Sequence, residues 1–104
     1  MRAETLKGHL DFLLLATLAA EPAHGYRIID ELKRRSGGAF DLPEGTVYPA
    51  LHRLEQSGLL ASSWANESGR RRRVYRLTAR GRRALAGERR DWRGFTNAVE
   101  AVVA

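Results

Sequence analysis

The chain has 104 residues, no cysteine, 18 Lys and Arg against 12 Asp and Glu, and a formal net charge of +6. That length supports one domain, and a domain this small buries only about 60 to 65 % of its unfolded surface, so a partner chain would help it. Lack of cysteine excludes disulfides, thiolate zinc sites and cysteine nucleophiles, while MRAETLKGHLDF has an acidic residue and no apolar run, and no segment nears the roughly 20 apolar residues of a membrane span, so a cytoplasmic protein is expected.

A first helix is predicted from Leu6 to Ala20. Leu10, Leu13, Leu14 and Leu18 follow the i, i+3, i+4, i+8 pattern, yet Phe12, Leu15, Ala16 and Ala19 occupy the other side. Thr17 tolerates burial by bonding back to a carbonyl one turn earlier. A helix apolar nearly all round must be buried nearly all round. Either it is the central helix of a monomer, or one face meets a second subunit, as the small core favours.

Glu21-Pro22-Ala23 breaks this helix, and a second runs from about His24 to Arg35 with Tyr26, Ile29 and Leu32 on its inner edge, ended by Ser36-Gly37-Gly38. Phe40-Asp41-Leu42 is a connector. The third helix turns Val47, Ala50, Leu51 and Leu54 inward, and Gly58 suits the left-handed position past its end. Its start has two solutions: Pro43 opens it and leaves Pro49 inside, or Thr46 caps it and places Pro49 in the first turn, where a missing donor costs nothing.

After Gly58 the period changes. Leu59 to Trp64 and Val74 to Thr78 read as strands joined through Asn66-Glu67-Ser68-Gly69, a hairpin with an arginine-rich returning arm. Charge is concentrated here: residues 1–67 are net −2, whereas residues 68–93 carry 11 arginines against Glu88 and Asp91. Such clustering is the footprint of a polyanion partner, the alternative being an arginine-rich solvated surface. Thr78 then caps a last helix from Ala79 towards Val102, whose Leu85, Trp92, Phe95, Val99 and Val102 fall on heptad positions, with Glu88 the exception, and seek another helix.

Three helices, two strands and a helix are the order of a winged helix-turn-helix: mainly α with a small β hairpin, residues 1–78 binding DNA and 79–104 forming a C-terminal dimerisation helix. Setting Val47 inward rotates Gly45, Pro49, His52 and Gln56 outward, flanked by Thr46, Tyr48 and Arg53. Arginine pairs with guanine, glutamine with adenine, and hydroxyls reach phosphates, so these residues are candidates for a major groove. Arg70, Arg71, Arg72, Arg73 and Arg76 suit phosphates, and since strand residues alternate faces, only some can touch one DNA. Arg80, Arg82 and Arg83 oppose the helix dipole, which phosphates nearby would justify, as would plain solubility.

His9, His24 and His52 sit on separate elements without paired acidic ligands, so no metal site, cofactor or catalytic centre is expected. Nor is there a nucleophile elbow or phosphate loop; Gly37-Gly38 is helix punctuation.

The segments His24-Gly25-Tyr26-Arg27-Ile28, Gly45-Thr46-Val47-Tyr48-Pro49-Ala50-Leu51-His52-Arg53-Leu54-Glu55, Ser57-Gly58-Leu59-Leu60 and Tyr75-Arg76-Leu77-Thr78-Ala79-Arg80-Gly81 resemble the signature blocks of PadR-type transcriptional regulators. The resemblance runs from Leu6 to Leu85. It implies a dimeric winged helix whose third helix and wing bind a pseudo-palindromic operator in double-stranded DNA, usually to repress, and ending at Ala104 the chain resembles the short members with one terminal helix. In some of these a tryptophan on that helix stacks flat hydrophobic drugs between subunits, and Trp92 occupies the similar place, with Phe12 and Leu15 as companions. Arg89, Arg90, Asp91 and Arg93 around Trp92 depart from that pattern. Trp92 therefore either packs against its mate or lines a ligand cleft.

The expected dimer interface comprises Leu10, Phe12, Leu15, Leu85, Trp92, Phe95, Val99 and Val102. The rival readings are a non-sequence-specific nucleic-acid-binding module and a protein-interaction module with a basic wing.

Overall fold

The computed structural model describes Leu6 and residues 8–104; residues 1–5 and 7, which carry much of the segment read for export signals, lie outside the described residues. The first helix predicted from Leu6 begins instead as α1, Leu10–Leu18, because Gly8 adopts φ +89° and no continuous helix passes through it. Leu14, Leu15, Thr17 and Leu18 are buried, and Thr17 Oγ1 donates to the Leu13 carbonyl at 2.8 Å, so the threonine is satisfied inside the core as its position demands. Leu10, Phe12, Leu13, Ala16 and Ala19 are partly buried against the same core.

Where a simple break was expected, Ala23–His24 forms a short strand, β1. It pairs antiparallel with the last strand of the sheet, Ala23 opposite Tyr75 and His24 opposite Val74. His24 then caps α2, Gly25–Arg35, its Nδ1 accepting from the Arg27 N–H at 3.2 Å. That anchorage sets the helix phase so that Gly25, Ile28 and Leu32 face inward. Tyr26, assigned to the inner edge by periodicity, is instead 50 % exposed, and Ile29 is only partly buried.

Helix α3 spans Glu44–Gln56, with Pro43 at its N-cap and Pro49 inside, which settles the two possible starts in favour of Pro43. The lost donor is the one that would reach the Gly45 carbonyl one turn earlier. Val47, Ala50, Leu51 and Leu54 are buried. At its end Gly58, φ +78°, sends its N–H to the Glu55 carbonyl while Leu59 bonds back to Leu54, both at 3.0 Å, which satisfies two terminal carbonyls.

The strands β2, Leu60–Glu67, and β3, Arg70–Leu77, complete a sheet of order β1-β3-β2. They are longer than predicted. Ser68 and Gly69, φ +50° and +77°, make a two-residue turn whose twist matches the strands, so Asn66, Glu67 and all four consecutive arginines join the ladder. Helix α4, Ala79–Val103, starts as expected at Thr78, whose Oγ1 accepts from the Gly81 N–H at 3.0 Å and donates to the Gly58 carbonyl at 2.7 Å.

The core gathers Leu14, Leu18, Ile28, Val47, Leu51, Leu60 and Tyr75 at its centre. In α4 only Gly81 and Leu85 are buried. The helix therefore projects, which stretches the molecule to 52 × 29 × 20 Å and raises its radius of gyration to 14.7 Å, against about 13 Å for a compact chain of this length.

Candidate nucleic-acid interface

Helix α3 buries one edge and offers the rest. Thr46, Pro49, His52, Arg53 and Gln56 are exposed, and Tyr48 is half-buried. Its 100° step per residue sets Tyr48 and Glu55 on one flank and Thr46 and Arg53 on the other, with Gly45, Pro49, His52 and Gln56 between them. The first flank meets the wing: Ser62 Oγ on β2 donates to Glu55 Oε2 at 2.6 Å. The second meets α1, where Arg53 Nη2 donates to Asp11 Oδ1. The helical pattern alone turns Arg53 outward and does not reveal this partner.

The four wing arginines divide as strand alternation requires. In register Trp64 stands opposite Arg73 and Leu60 opposite Leu77, so Arg71 and Arg73 share the face that carries Trp64, Tyr75 and Leu77. Arg73 is used internally: its Nε donates to Ser62 Oγ at 2.8 Å and its Nη2 lies 3.7 Å from Glu55 Oε2, which braces the wing against α3. The Arg71 and Arg73 guanidiniums sit 4.9 and 5.5 Å from the Trp64 ring centre, and Arg72 lies 5.6 Å from Tyr26. Among the described residues Arg70, Arg71 and Arg72 have no carboxylate within salt-bridge reach.

Between wing and helices lies a cleft of about 290 Å³, lined by His24, Gly25, Tyr26, Tyr48, Trp64 and Arg70 to Arg73. Tyr48 is seated directly on Gly25, where a Cβ would collide with its ring, and meets Tyr26 edge-on at 6.2 Å. Hydrogen bonding to the Glu44 carboxylate raises the Tyr26 pKa, and burial raises that of Tyr48, so both phenols stay protonated donors. Burial, then the Arg72 charge, lowers the His24 pKa and favours the neutral ring that its cap needs. Tyr26 and Trp64 escaped the sequence reading. Trp64 was detectable from its position opposite an arginine arm, but Tyr26 was hidden by a plausible helical period.

A separate aromatic cluster joins α1 to α4. Trp92 meets His9 at 5.6 Å, Phe12 at 6.3 Å and Phe95 at 6.1 Å, and is still 43 % exposed. Phe95, Val99 and Val102 continue this seam into solvent, and Leu10 and Phe12 are partly buried beneath it. Leu15 and Leu85, expected at a subunit or ligand contact, are each 2 % exposed within the chain's own core, because α1 packs there against α4. Among the described residues no three His, Asp or Glu side chains gather to hold a metal, and no helix is long and apolar enough to cross a membrane.

Three helices feeding a two-stranded wing, with the outer face of the third uncovered beside it, define a winged helix-turn-helix protein. The family model described as "Transcriptional regulator PadR-like family" matches residues 14–87, and the chain belongs to that family. It is thus a DNA-binding transcriptional regulator, and the family is one of regulators rather than enzymes. The transcriptional regulator Rv3488 of Mycobacterium tuberculosis is 44 % identical over 77 residues, 74 % of this chain and 69 % of that one. A PadR family transcription regulator of Clostridium difficile superposes with a TM-score of 0.83 at 32 % identity, covering 93 % of this chain and all of the other. A PadR family regulator of Eggerthella lenta gives 0.82 at 34 % identity, covering 96 % and 86 %.

Proposed function

We propose that the protein is a cytoplasmic homodimer that binds a pseudo-palindromic operator sequence-specifically and represses transcription. Thr46, Tyr48, Pro49, His52, Arg53 and Gln56 address the major groove, and Arg70, Arg71 and Arg72 the adjoining phosphates, with Arg73 bracing the wing. The observation that carries this reading is the uncovered outer row of α3 beside the Arg71 and Arg72 guanidiniums, which have no carboxylate partner among the described residues but are already positioned on aromatic rings. Such positioning is costly for free arginines and is recovered when the guanidiniums displace the counterions condensed on DNA phosphates. Tyr26 and Tyr48 add protonated hydroxyls at the cleft where a backbone would pass. Repression is the mode that the PadR resemblance implies, and the open face around Trp92 supports release by a planar apolar effector between subunits.

Salt-titrated binding to a duplex selected from a random pool, and to its scrambled counterpart, tests the assignment. Replacing Arg70 and Arg72 together by alanine weakens both complexes and lowers the salt slope by about 2, whereas Gln56→Ala removes about 1 to 3 kcal/mol of discrimination. Equal affinity for both duplexes would establish a non-specific binder. No retardation of any duplex at low salt would leave the wing to an acidic protein partner.

A further inference from the structure

The ion pair between Asp11 and Arg53 spans two elements that otherwise do different work. Asp11 lies in the first turn of α1, next to Phe12 in the Trp92 cluster, and Arg53 lies in the last turn of α3. Both side chains are about half exposed, Arg53 56 % and Asp11 46 %, so the pair adds little to stability and is cheap to exchange for another partner. It also contrasts with the opposite flank of α3, where Glu55, Ser62 and Arg73 form a partly buried network that fixes the wing.

We propose that Asp11 is a specificity-determining residue, a built-in competitor that holds Arg53 unless a correctly placed base edge takes the guanidinium over. The proposal rests on the DNA-binding reading above. Where no matching base edge stands at that position, the Asp11 carboxylate retains the guanidinium and Arg53 adds little to the complex. A guanine in register offers O6 and N7 to the planar fork at once and draws the guanidinium off the carboxylate, whereas other base edges do not offer that pair of acceptors. The carboxylate therefore penalises wrong sequences more than the right one, which is discrimination by competition for Arg53.

Asp11→Asn keeps the shape and removes the charge. In salt-titrated binding the variant should take up the scrambled duplex about tenfold more tightly, with a salt slope steeper by about 1, and should gain less than about threefold on the selected duplex. In an Arg53→Ala background the same substitution should change neither affinity by more than about twofold. An unchanged selectivity ratio overturns the proposal, as does a gain that persists without Arg53, which would be charge acting through space. Lower affinity for the selected duplex would make Asp11 a support for Arg53 rather than its rival. If the wild-type protein retards no duplex, the DNA-binding reading fails and this one with it; wild-type binding with an inert Asp11→Asn refutes this proposal alone.

Discussion

Gly25 owes its identity to Tyr48. Its backbone is ordinary, yet the phenol ring occupies the space a Cβ would need, so Gly25→Ala must push Tyr48 out of the cleft. Overpacking of this kind costs about 1 to 3 kcal/mol; urea unfolding should record that loss, and duplex binding should weaken for every sequence tested. His24 gives a second prediction with a definite sign. Its folded pKa lies below the ordinary value, so the unfolded chain takes up the proton first, and the stability its neutral ring contributes is complete above about pH 6.5 and lost as pH falls below that. His24→Asn keeps a capping acceptor that does not titrate, and thermal unfolding between pH 7 and 5 should show a shallower decline than the wild type. Single residues were legible where their chemistry is local: Thr17 bonding one turn back and Thr78 as a cap are visible in the letters alone. Tyr26 was not, because a period of 3.6 tolerates an error of one position and only the anchoring of His24 to Val74 fixes the phase.

Elements were legible for the same reason, and their limits were not. The order of helices and strands follows from apolar spacing and from Gly58, Ser68 and Gly69. Strand β1 has two residues and no pattern of its own; it exists because Ala23 and His24 meet Tyr75 and Val74 far along the chain. The ends of β2 and β3 depended on the turn type, since a tight Ser68-Gly69 reversal brings Glu67 opposite Arg70 and a longer loop would have left both unpaired. At the junction of α3, wing and α4, the first turn of α4 presses Gly81 onto the Leu59 carbonyl, with no room for a methyl group. Gly81→Ala must shift backbone rather than a flexible side chain, so a loss of about 2 to 3 kcal/mol in chemical denaturation is expected. Were it neutral, the close packing of α4 on the wing base would be wrong.

At the scale of the whole molecule, the projecting part of α4 carries an apolar seam that its own chain leaves open, Trp92 at 43 % and Phe95 at 59 % exposure. In the proposed dimer a second copy would cover that seam, as the heptad spacing read from the sequence expects. If that dimer forms, sedimentation at micromolar concentration should find two copies in the wild type and one in Phe95→Asp, which places a charge in the seam, with the domain still folded because Phe95 lies outside the core. The seam was readable from periodicity, whereas the internal uses of Arg53 and Arg73 were not, because Asp11, Glu55 and Ser62 are recruited only by tertiary folding. A single hydroxyl, that of Thr78, clasps the finish of α3 to the outset of α4. The two helices are thereby tied at one point, so in the proposed dimer a splaying of the two stalks would also move the paired points apart.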